Sequence, residues 1–164
     1  MPHLIAVKPS NNIESVELWN GWGKYYPNEQ EMTMLYSDPK MNILKCETNE
    51  FAEIYVGSEL KDILFWNGNE YRSLKYKEFV APTGERVRPR NIEQKMYLDL
   101  LQNDEIPIKL CIGHFGTGKS MFAETWATSQ LMSGKYDKIV FVKNNLDVKG
   151  AGKLGTLPGD EIDK

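Results

Sequence analysis

The pattern of apolar and polar positions divides the chain into a strand-rich first half and a second half in which helices and strands alternate. Residues 51–56, 61–66 and 69–76 are runs rich in aromatic and β-branched residues, separated by turn formers. The second of these turns, Asn67-Gly68, is typical of a type I′ hairpin, in which both central residues need positive φ. This pattern predicts a meander of about three antiparallel strands in one small sheet.

The first 45 residues have a less regular pattern. Aromatic residues and turn formers alternate over residues 19–28, which indicates irregular backbone held by ring packing. Residues 29–36 predict a short helix that ends before Asp38-Pro39, because the residue that precedes a proline disfavours helical backbone.

The second half of the chain changes to alternating helix and strand patterns. Apolar residues recur on one side of residues 91–103, as in a helix. Two short apolar runs, 108–112 and 138–142, have the pattern of buried strands, and a helical pattern over residues 118–133 lies between them. This order predicts a parallel βαβ unit with a right-handed crossover. The expected fold class is therefore α/β, with an incomplete parallel core preceded by a small antiparallel β-rich segment.

The clearest boundary lies in residues 80–90. Prolines and a glycine break regular structure there, and Arg86, Arg88 and Arg90 alternate through it. We place the division at this point, with a β-rich N-terminal connector over residues 1–82 and a second domain over residues 83–164. The segment is either a solvated linker or a basic rim that meets the phosphates of a nucleotide or a nucleic acid.

Composition and charge exclude several classes of protein. With 164 residues, 41% hydrophobic and 26% charged, the chain is an ordinary globular sequence, and its apolar runs are far shorter than the ~20 residues that span a bilayer. The net charge is −3, so any contact with nucleic acid must rest on local patches. The N-terminus has no signal-peptide pattern, and the two distant cysteines fit neither a disulfide framework nor a zinc site. We expect a reducing, cytoplasmic location.

One motif carries chemistry. Residues 113–120, Gly-His-Phe-Gly-Thr-Gly-Lys-Ser, match the phosphate-binding pattern G-x-x-x-x-G-K-[ST] at every fixed position, between a strand pattern and a helix pattern. The glycines allow the loop to point its N–H groups inward at the positive end of a helix dipole. The sequence therefore predicts a P-loop that binds nucleoside phosphates. The alternative, a plain connecting turn, leaves the Lys-Ser pair unexplained.

The residues of this loop have separate expected roles. Lys119 is expected to reach the β- and γ-phosphates and Ser120 to ligate Mg²⁺, so these two are the candidate catalytic residues and Ser120 is the candidate metal ligand. His114 could touch a phosphate, although an exposed or loop-filling histidine is the simpler interpretation. Cys111 is expected to pack as a small buried residue. The candidate nucleotide-binding residues are Gly113, His114, Phe115, Gly116, Thr117, Gly118, Lys119, Ser120 and Met121.

Gln94 allows two interpretations. Asn91 and Gln94 fit a capping box, with Asn91 as the N-cap and the Gln94 side chain reaching back to it. Alternatively, Gln94 reads the edge of an adenine base, because an amide both donates and accepts hydrogen bonds. Spacing alone leaves the two evenly matched.

Three runs together resemble the PhoH family of P-loop ATPases: residues 90–95 (RNIEQK), residues 113–120, and residues 154–160 (LGTLPGD). The last run is similar to the family's Leu-Gly-Phe-Leu-Pro-Gly-Asp stretch and is the most specific of the three. The similarity covers residues 85–164. It extends back over residues 62–74, which resemble the segment that joins a PIN nuclease domain to PhoH in fused relatives.

This resemblance implies a P-loop NTPase fold that binds ATP with Mg²⁺, with Gln94 in the adenine-reading role. It also implies ATP hydrolysis and, for the PIN-fused relatives, work on RNA. Lys143-Asn144-Asn145 stands where the family commonly has Arg-Pro, so it is a candidate nucleic-acid or coupling contact. An ordinary lysine at a strand end is the alternative for Lys143.

The sequence also departs from the family pattern. After the P-loop there is no apolar strand ending in the Asp that would hold Mg²⁺ through water, no later arginine finger, and no carboxylate cluster of a PIN nuclease. Only 44 residues follow Ser120, enough for one further strand. The chain looks like the front half of an ATPase, so we expect nucleotide binding with little turnover unless the other half completes it. An unpaired sheet edge also predicts a homo-oligomer or a partner that supplies that half.

Two other functions fit parts of the sequence. In the first, the chain is a non-catalytic RNA- or protein-interaction module with a vestigial P-loop, in which Trp66, Tyr71 and Tyr76 stack on bases beside Arg72 and Lys75. The acidity of residues 1–82 argues against it, and core packing of these rings is the simpler expectation. The second, a nucleotide or small-molecule kinase, conflicts with the Leu-Pro-Gly-Asp run and the lack of a lid segment.

Overall fold

The computed structural model describes residues 19–142, and within them four strands form the larger of two sheets. Strands β2, β3 and β4 are an antiparallel meander, which confirms the prediction from the sequence. Strand β1 was not predicted and pairs in parallel with β2, with Trp22 opposite Phe51. The strands are β1 (Trp22–Tyr25), β2 (Glu50–Val56), β3 (Glu59–Trp66) and β4 (Tyr71–Ser73).

The turn between β3 and β4 differs from the predicted type I′ turn. Trp66 pairs with Tyr71, so four residues separate the strands instead of two. Gly68 has a φ of 95°, whereas Asn67 has a negative φ. The side-chain oxygen of Asn67 accepts hydrogen bonds from the N–H groups of Asn69 and Glu70, both at 2.8 Å. This local Asn-to-backbone bonding favours the wider turn.

Helix α1 (Glu29–Ser37) confirms the short helix of the first 45 residues and covers one face of the sheet. Its N-terminus has a complete capping box, in which Asn28 and Glu31 each accept the other's backbone N–H at 2.9 and 2.8 Å. Leu35 is buried against the sheet. The core on this side contains Leu35, Cys46, Ala52, Ile54, Leu64, Trp66 and Tyr71.

Helix α2 (Ile92–Gln102) covers the opposite face of the sheet, as an amphipathic helix should. Met96 packs with Phe51 and Phe65, whose rings lie 4.8 Å apart between centroids. The predicted helix at residues 91–103 is confirmed. Because its core is shared with the meander, the position of α2 is fixed by the first half of the chain.

Residues 79–87 form a small hairpin, so a solvated linker is the wrong description of this segment. Strands β5 (Phe79–Val80) and β6 (Arg86–Val87) pair antiparallel. Val87 is buried with Leu98 and Phe122, while the Arg88 side chain stays exposed and pairs with Glu78 at 3.1 Å. The proposed division between residues 82 and 83 falls in the turn of this hairpin, and it stays a prediction.

Helix α3 (Lys119–Met132) is confirmed, but the two strands predicted on either side of it are wrong for the described part of the chain. Residues 108–112 and 138–142 have no strand pairing, and Ile108, Leu110 and Ile112 are each 78% exposed. A strand needs a neighbour to bond its backbone, and residues 19–142 offer these two segments none. The molecule is therefore mixed α/β, but its parallel pair is β1–β2 and not the expected βαβ unit.

Among the described residues, the helices are all too short or too polar to traverse a bilayer.

Candidate functional site

The glycine-rich loop turns directly into the N-terminus of α3. Gly118 is the N-cap residue, with a φ of 89°, and Gly116 has a φ of 76°. Only glycine adopts such left-handed backbone at low cost, so the two glycines allow the chain to reverse and enter the helix. The sequence pattern thus produces the loop-to-helix junction that phosphate binding requires.

The Lys119 side chain folds back into the loop. Its ammonium donates hydrogen bonds to the carbonyl oxygen of Gly113 at 2.8 Å, to the carbonyl oxygen of His114, and to the Thr117 hydroxyl at 3.2 Å. The Thr117 hydroxyl in turn donates to the carbonyl oxygen of His114 at 2.9 Å. The positive charge is therefore held at the centre of the loop.

The first turn of α3 is suited to an anion. Gly118 provides no side chain to cap the helix, and no acidic residue lies in its first turn. The leading N–H groups of a helix and its dipole attract negative charge, and Lys119 adds a full positive charge beside them. The donors present here fit a phosphate group.

The other loop residues are mostly open to solvent. Phe115 is 98% exposed, and His114, Ser120 and Met121 are exposed as well. Phe122, the next residue, is only 1% exposed and anchors α3 in the core. The exposed His114 agrees with the simpler of its two interpretations, and the hydroxyl of Ser120 is accessible from solvent.

The structure brings Gln94 to the loop. Asn91 is the N-cap of α2 as predicted, because its side chain accepts the N–H of Gln94 at 2.9 Å. The predicted contact from the Gln94 side chain back to the N–H of Asn91 is wrong. Gln94 Oε1 instead accepts from the N–H of Arg90 at 2.7 Å. Gln94 Nε2 donates to the carbonyl oxygen of Thr117 at 3.2 Å. The amide therefore joins the N-terminus of α2 to the loop.

Tyr97 is a site residue that the sequence reasoning did not assign. Its hydroxyl donates to the carbonyl oxygen of Lys119 at 3.4 Å. Burial, with a smaller contribution from Cys111, raises the pKa of Tyr97 to about 12. Burial also raises the pKa of the Cys111 thiol, which is half-buried instead of fully buried as expected. The sequence signal that could have identified Tyr97 is its spacing from Gln94, because residues three apart lie on the same face of a helix.

The aromatic surface of the alternative function is not formed. Trp66 and Tyr71 are buried at 6% and 5% exposure, and Tyr76 packs partly buried near α3. Arg72 is bonded to Asp99 instead of being free for a phosphate. Core packing of these rings, the simpler expectation, is confirmed.

The remaining predicted contacts are a metal site and residues that follow position 142. Within residues 19–142, acidic, histidine and cysteine side chains form no cluster of three or more that could hold a metal ion. Ser120 as a Mg²⁺ ligand stays a prediction. The candidate contact at residues 143–145 and the run at residues 154–160 lie outside the described residues.

Comparison with known proteins relates this chain to one family. Residues 86–164 match the family model described as PhoH-like protein. Relatives include a PhoH-like protein of Synechocystis sp., 33% identical over 93 residues, which are 56% of this chain and 27% of that protein. Protein PhoH2 of Bacillus subtilis is 26% identical over 163 residues, which are 93% of this chain and 36% of that protein. These matches confirm the resemblance to the PhoH-like family seen in the sequence.

The match to the Bacillus subtilis protein also covers the N-terminal sheet, so the similarity extends beyond the P-loop half. The chain spans about a third or less of the length of these curated relatives. No solved structure matches it significantly.

Proposed function

We propose that this protein binds ATP through the loop at the start of α3. One observation carries the proposal: the Lys119 ammonium is held inside a glycine-rich loop at a helix N-terminus that no side chain caps. This combination concentrates positive charge and N–H donors where a phosphate chain can replace the internal acceptors of Lys119.

Each predicted site residue has a role in this proposal. The backbone N–H groups of residues 113–121 bind the phosphates, and Lys119 neutralises the charge on the β- and γ-phosphates. The Ser120 hydroxyl would hold Mg²⁺, which would supply positive charge to the phosphate chain. The side chain of Gln94 reads the adenine edge, since each atom of its amide retains one unused hydrogen-bonding position beyond its contacts with Arg90 and Thr117.

The proposal extends to hydrolysis and location. We extend the proposal to ATP hydrolysis linked to RNA metabolism, for the complete site, because residues 86–164 match the PhoH-like family model. Because residues 108–112 are unpaired, with Ile108, Leu110 and Ile112 exposed, we expect that site to need another copy of the chain or a chain that supplies the remaining sheet. A reducing, cytoplasmic location is consistent with the free thiols of Cys46 and Cys111.

Isothermal titration of the purified chain with ATP, with and without Mg²⁺, tests the binding step. Lys119→Ala should weaken binding roughly 10- to 100-fold, because charge-assisted hydrogen bonds to phosphate are lost. Lys135→Ala is the matched control, since Lys135 is an exposed lysine paired with Asp104 beyond the end of α3. Equal ATP affinity in the wild type and in Lys119→Ala would contradict the proposal.

A further inference from the structure

The Gln94 side chain makes contacts that reading a base does not explain. Its Oε1 accepts from the backbone N–H of Arg90 at 2.7 Å, and its Nε2 donates to the carbonyl oxygen of Thr117 at 3.2 Å. A backbone N–H can only donate and a carbonyl can only accept, so these two partners fix the orientation of the amide.

The hydrogen bond from Gln94 to Thr117 lies where the loop enters α3. Thr117 immediately precedes Gly118, whose φ of 89° begins α3, and the Thr117 hydroxyl receives a hydrogen bond from the Lys119 ammonium. A Cβ on Gly118 would lie 3.7 Å from Gln94 Nε2, so the amide packs directly against the loop backbone. Movement of the Thr117 peptide would therefore alter both the helix start and the position of Lys119.

At the other end of this hydrogen bond, Gln94 lies on a helix that is packed in the core. Gln94 lies in the first turn of α2, whose N-terminus is capped by Asn91. The same helix is held on the sheet by Met96 and by Asp99, which are buried at 5% and 2% exposure. Loops are generally more mobile than helices packed in a core. Gln94 therefore links the glycine-rich loop to an element with a fixed position.

We propose that Gln94 is a positioning residue for the P-loop, holding the Thr117 peptide so that the phosphate site is formed before any base binds. The inference rests on the proposed nucleotide binding but is separate from base reading. It predicts that Gln94 contributes to binding of a phosphate chain that carries no base.

Inorganic tripolyphosphate, titrated beside ATP into the wild type and Gln94→Ala, separates the two roles. We expect Gln94→Ala to weaken tripolyphosphate and ATP binding by roughly five- to tenfold each, the effect of one lost hydrogen bond. Gln102→Ala is the matched control, because the Gln102 amide bonds to the backbone N–H and carbonyl of Lys77 at the opposite end of the same helix, away from the loop. A loss confined to ATP, or no loss for either ligand, would overturn the proposal.

Amide hydrogen exchange of the nucleotide-free chain tests the same contact without any ligand. Residues 113–120 should exchange several-fold faster in Gln94→Ala than in Gln102→Ala, while α1 and the meander exchange at wild-type rates. Equal exchange of the loop in the two variants would overturn the positioning role. If the loop exchanges faster as expected but the wild type binds neither ligand, the proposed function fails while the structural role of Gln94 stands.

Discussion

Arg72 on β4 and Asp99 on α2 form a two-bond ion pair across the interface between the sheet and the helix. The guanidinium donates to the two carboxylate oxygens at 3.0 and 2.8 Å, and the side chains of Arg72 and Asp99 are only 12% and 2% exposed. The guanidinium also lies 4.4 Å from the centroid of the Phe65 ring. Since α2 carries Gln94 and Tyr97, this ion pair helps to position the helix that supports the P-loop.

Asp99→Asn should destabilise the protein strongly. The variant leaves the Arg72 charge buried without its counter-charge, which costs about 3 kcal/mol of unfolding free energy. Urea denaturation followed by circular dichroism measures this loss. Glu59→Gln is the control, because the Glu59–Lys61 pair is exposed and should change stability by less than about 0.5 kcal/mol. Similar losses in the two variants would show that burial of the Arg72–Asp99 pair has no special effect.

Gly118→Ala should weaken nucleotide binding as well as lower the stability of the protein. Alanine in left-handed backbone costs roughly 1–2 kcal/mol, and the loop can relieve this cost only by moving the Thr117–Lys119 peptides. Gly134→Ala is the control, since Gly134 has a similar φ of 76° with nothing within 4 Å of its added Cβ, beyond the end of α3. Thermal denaturation should show comparable destabilisation of both variants, whereas titration with ATP should show weaker binding only for Gly118→Ala. Normal binding by Gly118→Ala would indicate that the loop conformation is not needed.

Ser120→Ala should remove the contribution of Mg²⁺ to ATP binding. If the hydroxyl ligates the metal, the wild type gains affinity when Mg²⁺ is added, and the variant loses most of that gain while it binds metal-free ATP normally. Ser133→Ala, at the opposite end of α3, should behave as the wild type. An equal gain from Mg²⁺ in Ser120→Ala would show that the ligand lies elsewhere.

Tyr97 should make stability depend on pH in the alkaline range. Burial raises its pKa to about 12 in the folded chain, whereas the unfolded chain ionises near 10. The favourable contribution of the protonated side chain is therefore complete below pH 10 and is lost as the pH rises toward 12. Urea midpoints measured from pH 9 to 11 should fall more steeply for the wild type than for Tyr97→Phe. Parallel profiles would contradict this assignment.

Local signals in the sequence predicted much of the fold because they depend on neighbours in the chain. The Asp38-Pro39 break marks the end of α1, the Asn91 cap marks the start of α2, and the aromatic and β-branched runs mark the meander. The G-x-x-x-x-G-K-S pattern likewise predicted the loop and the start of α3, since glycine backbone and helix entry are local properties. Strand β1 escaped prediction because 24 residues separate its end from the start of its partner β2, and parallel pairing leaves no turn signal.

The sequence by itself determined the glycine-rich loop, the helix that follows it and the resemblance to the PhoH-like family, because these depend on residue types at fixed spacings. Only the tertiary structure decided that Gln94 and Tyr97 reach the loop, because α2 must first dock on the sheet through Met96 and Asp99. The tertiary structure likewise left residues 108–112 unpaired, although their apolar pattern is that of a buried strand. Pairing and burial depend on which segments meet in space, and a local pattern does not carry that information.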